Sequence, residues 1–80
     1  MVTSAEEAEE IVKQWLERKF AEKLRKSRVK EIQLSEGLWN VKAEVVLRSG
    51  ALSISSHAVH LKVDAGTAKV VGYSESEQIE

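Results

Sequence analysis

Two histidines, one aspartate, a scatter of serines and no cysteine are the residues through which this chain could do chemistry. His57 and His60 raise a metal site first. A strand offers two ligands to one ion at even spacing, and a helix at three or four. The segment around the histidines has strand character, and a spacing of three on a strand sends the two rings to opposite faces. Both then read as ordinary strand residues, one near the rim and one exposed, and no metal is expected. Asp64, the one aspartate, stands in Asp64-Ala65-Gly66-Thr67, where a turn uses such a carboxylate to accept from backbone two residues ahead. Ser53, Ser55, Ser56, Ser74 and Ser76 have no basic partner fixed by a recognisable nucleophile motif. Neither a phosphate-cradling glycine loop nor a dinucleotide pattern is present. Without cysteine there is no disulfide, thiol nucleophile or iron–sulfur cluster. The expectation is a non-enzymatic protein with no cofactor.

The charges carry more information. Twelve basic and thirteen acidic residues leave a net charge of −1, so no bulk bias selects a partner. Locally, Arg18, Lys19, Lys23, Arg25, Lys26, Arg28 and Lys30 put seven of the twelve basic residues within thirteen positions. Such a cluster can grip phosphates, which makes nucleic-acid binding the alternative function. The competing interpretation is the solvated, dipole-favoured end of an amphipathic helix. Trp15 and Trp39 do not interleave with the cations as bases stacked on a single-strand platform require, and both read as core.

These residues must be held by one small domain, since eighty residues lie near the lower limit for a single unaided core. Ala8, Ile11, Val12, Trp15, Leu16, Phe20 and Leu24 recur at spacings of three and four, which predicts a helix over about 5–27. Thr3 with Glu6 and Ser4 with Glu7 are two capping boxes that would start it. From Glu31 the period becomes two. Ile32 and Leu34 make a first strand, Ser35-Glu36-Gly37 a turn, and Trp39, Val41, Ala43, Val45 and Leu47 the inward face of a second. Leu52 and Ile54 have the opposite parity to Val59, Leu61 and Val63, which predicts a bulge or irregular stretch around Ser55-Ser56. A last strand runs from Lys69 to Ser74. Pairing Asp64 with Lys69 would turn Val71 and Tyr73 outward, and a loop shorter by one residue would turn them inward. Residues 74–80 read as a frayed acidic tail. Short connections force antiparallel neighbours. The expected fold is α+β and two-layered, one N-terminal helix packed on a curved four-stranded antiparallel meander, with residues 1–80 as a single domain.

No apolar run approaches the ~20 residues of a membrane helix and no signal-peptide pattern opens the chain, so a soluble, cytoplasmic protein without a membrane partner is expected. The sheet face away from the helix would carry Lys42, Glu44, Arg48 and Lys62 with Val46, Ala58, Val71 and Tyr73. Val46, Val71 and Tyr73 are the candidate face of a homodimer.

The residues Ser4-Ala5-Glu6-Glu7-Ala8, Leu38-Trp39-Asn40-Val41 and Leu61 through Tyr73 together resemble the PepSY domain. That family joins an acidic, alanine-containing helix start to a strand with tryptophan or tyrosine and a final Val-Asp-Ala-x-Thr-Gly-x-Val-Val hairpin. The family's turn glycine falls at Ala68, whereas this chain places a glycine at Gly66. A weaker likeness, through Gly37, Trp39, Glu44, Val45 and Val46, is to the gas-vesicle accessory protein O, whose arginine-rich ending is absent here. The PepSY resemblance implies a cystatin-like helix-on-sheet fold and a binding role of the kind associated with protease propeptides and inhibition. It supplies no contact residue. The expected function is a small protein-binding or assembly module.

Overall fold

The computed structural model describes residues 2–77. Helix α1 (Ala5–Phe20) leads through a short 3-10 turn (Ala21–Lys23) into β1 (Leu24–Ser35), β2 (Leu38–Arg48), β3 (Ile54–Asp64) and β4 (Val70–Glu77). The strands form one antiparallel sheet in the order β1-β2-β3-β4, which is not closed into a barrel, and α1 packs on one face. The α+β class and meander topology are those expected from the sequence.

The helix start follows from its caps. Ser4 is the N-cap, and its hydroxyl accepts from Glu7 N–H at 3.2 Å. The Glu7 carboxylate reaches back to Thr3, accepting from its backbone N–H at 2.8 Å and its hydroxyl at 3.0 Å. Serine and threonine thus share one capping box with Glu7. Those bonds favour the charged carboxylate and hold Glu7 below the ordinary carboxylate range, with the Thr3 backbone bond as the largest cause.

The helix ends earlier than the apolar spacing predicts. Ala21 turns the backbone at φ 50°, ψ −126°, its N–H donating to Glu17 C=O, and Leu24 already pairs with Leu47 in the sheet. Leu24 lies four residues after Phe20, so it prolongs the helical stripe in sequence while facing the core as the first residue of a strand. The rest of β1 was hidden by two bulges. Arg25 and Lys30 are extra residues against β2, so the inward positions run Leu24, Ser27, Val29, Ile32, Leu34. That spacing is neither two nor 3.6, and no simple period reports it.

Strand β2 has the expected register, with Trp39, Val41, Ala43 and Val45 buried toward the helix and Leu47 half-buried. They meet Ala8, Val12 and Leu16 of α1 and Val59, Leu61 and Val63 of β3, with Val2 closing one end. Trp15, Phe20, Leu24, Leu47, Val70 and Tyr73 pack around this core in half-buried positions. Trp39 Nε1–H donates to Val2 C=O at 3.3 Å, Val2 N–H to Ala65 C=O at 2.7 Å, and Ala65 N–H to Gly37 C=O at 2.9 Å. The N-terminal segment therefore ties together the β1–β2 and β3–β4 turns.

No bulge lies at Ser55-Ser56. β3 pairs with β2 without interruption from Leu38 opposite Asp64 to Arg48 opposite Ile54. The parity change in the sequence arises because Ile54 is outward and 64% exposed, and Leu52 lies in the loop at 101%. The third bulge is on β4. Asp64 N–H donates to Lys69 C=O and Val63 pairs with Val70, but Lys62 pairs with Gly72, leaving Val71 as the extra residue. Val71 stays exposed, while Tyr73 pairs with Leu61 and turns inward. Residues 74–77, expected as tail, continue β4; residues 78–80 lie outside the described residues.

Candidate functional site

The helix covers one face of the sheet. On the other, β2 presents Lys42, Glu44 and Val46, and β3 presents Ser56, Ala58, His60 and Lys62. Lys26, Arg28 and Glu31 face the same way from β1, opposite Val46, Glu44 and Lys42. Gly72 and Ser74 of β4 lie opposite Lys62 and His60. The centre of this face is built from small side chains flanked by long ones. A groove of about 450 Å³ results, floored by Ala58 and walled by Lys30, Glu31, Lys42, His60 and Ser74. Lys42 and Glu31 form an exposed ion pair at 3.6 Å across its rim.

Of the three residues expected on this face as a dimer surface, Val46 and Val71 lie there and Tyr73 does not. The bulge at Val71 reverses the parity of everything after it, so Tyr73 stacks on Trp15 of the helix with ring centroids 4.9 Å apart. The Lys19 ammonium sits 4.9 Å from the Tyr73 ring, 5.7 Å from Trp15 and 5.6 Å from Phe20, a cation held among three aromatic faces. The Tyr73 hydroxyl is buried without a partner in this structure, and burial, then the charge of Glu75, push the phenol above its ordinary range.

The histidines separate as their spacing predicts, His57 on the helix side and His60 on the open side. No cluster of metal-ligating residues occurs among the described residues. His57 is instead the centre of a row that the sequence reading missed. One ring nitrogen, Nε2, lies 2.9 Å from the Ser55 hydroxyl, and Nδ1 lies 3.1 Å from the Glu75 carboxylate. Ser55 and His57 share a strand face at spacing two, a signal hidden by the irregularity expected around Ser55-Ser56. Glu75 joins them only because of the bulge at Val71. Serine, histidine and carboxylate in line are the parts of an activated hydroxyl. A hydrolase needs in addition a cleft around the nucleophile. The row is a hydrogen-bonded seam joining β3 to β4.

Asp64 has the turn role expected of it, its carboxylate accepting from Gly66 N–H at 2.7 Å and Thr67 N–H at 3.1 Å. The basic segment is dispersed by the early end of the helix. Arg18 and Lys19 stay on α1, Lys23 sits in the 3-10 turn, and Arg25, Lys26, Arg28 and Lys30 move onto edge strand β1. Lys23 and Arg25 come beside Arg48 and the β2–β3 loop, where Lys23, Arg48, Ser49 and Gly50 line one groove and Arg25, Arg48, Leu52 and Ile54 another.

The geometry defines a two-layer α+β domain with one covered and one open sheet face. Comparison with protein families, characterised proteins and solved structures finds no match for the chain. No helix is long and apolar enough to cross a membrane.

Proposed function

We propose that the chain is a small, non-enzymatic protein-binding or assembly module of PepSY-like kind, and that the open face of its sheet is the working surface. The observation that carries this reading is the floor of that face. Ser56, Ala58, Gly72 and Ser74 are small, so a partner can approach the strands closely, while Val46 and Val71 offer apolar anchors beside them. A second copy of the chain is the simplest partner, because a two-fold arrangement sets the same patch against itself. Light scattering at high micromolar concentration is expected to report about twice the 8.9 kDa chain mass. Val46→Lys is expected to return it to monomer with an unchanged far-UV spectrum. A strictly monomeric wild type would remove the homodimer.

The alternative reading, nucleic-acid binding through the basic segment Arg18 to Lys30, draws its support from Lys26 and Arg28, which flank the same face. It requires retention of single-stranded or duplex nucleic acid at ~50 mM salt and steep release as salt rises. A filter-binding titration without retention at that salt would dispose of it.

A further inference from the structure

We infer that the β2–β3 hairpin end of the molecule is a docking tip for an anionic lipid surface, at one end of the open sheet face and apart from its central groove. The loop Ser49–Ser53 closes with Ser49 N–H donating to Ser53 C=O at 3.0 Å, and Arg48 Nε–H donates to Gly50 C=O at 3.3 Å. This compact apex carries Leu52, 101% exposed, and Ile54, 64% exposed, the two most exposed of the large apolar side chains among the described residues. Exposure at that level marks a convex projection, and a projection enters a soft surface more readily than it fills a rigid pocket.

Around it stand cations drawn from three elements. Arg25 of β1 and Arg48 of β2 share a groove with Leu52 and Ile54, and Lys23 of the 3-10 turn shares the adjoining groove with Arg48 and Gly50. Glu22 is the one acidic side chain lining either groove. The early helix end and the bulge at Arg25 bring these charges to the hairpin; in a helix running to residue 27 they would lie elsewhere. Apolar residues that leave water for the acyl boundary, collared by cations that meet anionic headgroups, are the two contributions that hold a peripheral protein on a bilayer. Nucleic acid satisfies the collar but leaves Leu52 and Ile54 in water, and this difference selects lipid.

The test is co-sedimentation of the full chain with vesicles of phosphatidylcholine alone and of phosphatidylcholine with ~30% phosphatidylserine. Binding is expected to the anionic vesicles, with little to the neutral ones. Leu52→Asp with Ile54→Asp is expected to lower the partition coefficient by about tenfold or more. Lys23→Glu with Arg25→Glu is expected to lower it by a similar factor and to remove the salt dependence. Each variant is checked by far-UV circular dichroism, and the single variant Leu52→Ser, at a side chain without contacts to lose, serves if a double variant unfolds. Equal binding to neutral vesicles, no binding to anionic ones, or anionic binding indifferent to residues 52 and 54 would each overturn the proposal. The last result would mark the collar as a general polyanion site.

Discussion

The two ends of this sheet are built from the same strands and are held very differently. At one end the N-terminal segment bonds to Ala65, receives the Trp39 indole N–H, and so joins two turns, while Asp64 organises the β3–β4 connection. At the other, β2 and β3 meet in a hairpin whose apolar residues stand in water, and beside it the polar seam, Ser55–His57–Glu75, is partly exposed. A 16-residue helix spans about 24 Å, and strands of eleven or twelve residues span about 36 Å, so one helix cannot cover the whole length of the sheet. Hydrogen bonds between turns collect at the N-terminal end, and exposed apolar side chains remain at the hairpin end.

That contrast can be broken by mutation. Leu61→Ala, at a fully buried position, is expected to cost about 2–5 kcal/mol in urea unfolding. Leu52→Ala should stay within about 0.5 kcal/mol. A comparable cost at residue 52 would mean that the hairpin end is packed after all. Deleting Val71 tests how the seam is made. Without the extra residue, Tyr73 and Glu75 both turn to the open face, and the stacking on Trp15 and the contact with His57 are lost together. A loss on the order of 2 kcal/mol is expected, with a changed near-UV spectrum from Trp15; an unaltered spectrum would show that the register can re-form another way.

Asp64→Ala leaves the Gly66 and Thr67 N–H groups without their acceptor and is expected to cost about 1 kcal/mol in chemical denaturation. Arg48→Ala, which removes one exposed bond at the opposite end, should cost less than about 0.5 kcal/mol. The smallest effect belongs to Glu7. Its folded-state pKa is lowered, so the unfolded chain binds more protons as pH falls. The cap's contribution is then present above the ordinary carboxylate value and disappears as pH drops through the folded one. Thermal melts of Glu7→Gln between pH 7 and pH 3 should fall less steeply than those of the wild type; parallel curves would exclude the Thr3–Glu7 contact as their source.

Those outcomes bear on features of unequal visibility in the sequence. The helix stripe, the β2 register and the Asp64 turn were legible because each is local and regular. Trp39 and its neighbours alternate without interruption, and Asp64 bonds to residues two and three ahead. What escaped lies downstream of the bulges. Arg25 and Lys30 disguised the first half of β1, and Val71 reversed the orientation of Tyr73 and Glu75. A bulge is stabilised by the neighbouring strand and leaves no period of its own, so a single chain read in order does not reveal it. The surfaces inherited this blindness. Period alone puts Tyr73 on the open face, gives no sign of the Ser55–His57–Glu75 seam, and sets the cations beside the hairpin on a helix.

Ala21 makes the turn from helix to sheet with a backbone geometry that favours glycine. The sequence therefore stands below the stability its own fold permits, and this junction is one of three non-glycine positions at positive φ, with Glu36 and Ala68. Ala21→Gly should raise the melting temperature without altering a contact in the core, and the altered chain would tolerate destabilising changes elsewhere that the present one does not. A small domain with such reserve can vary its exposed hairpin freely, provided the corner beneath it is relaxed first.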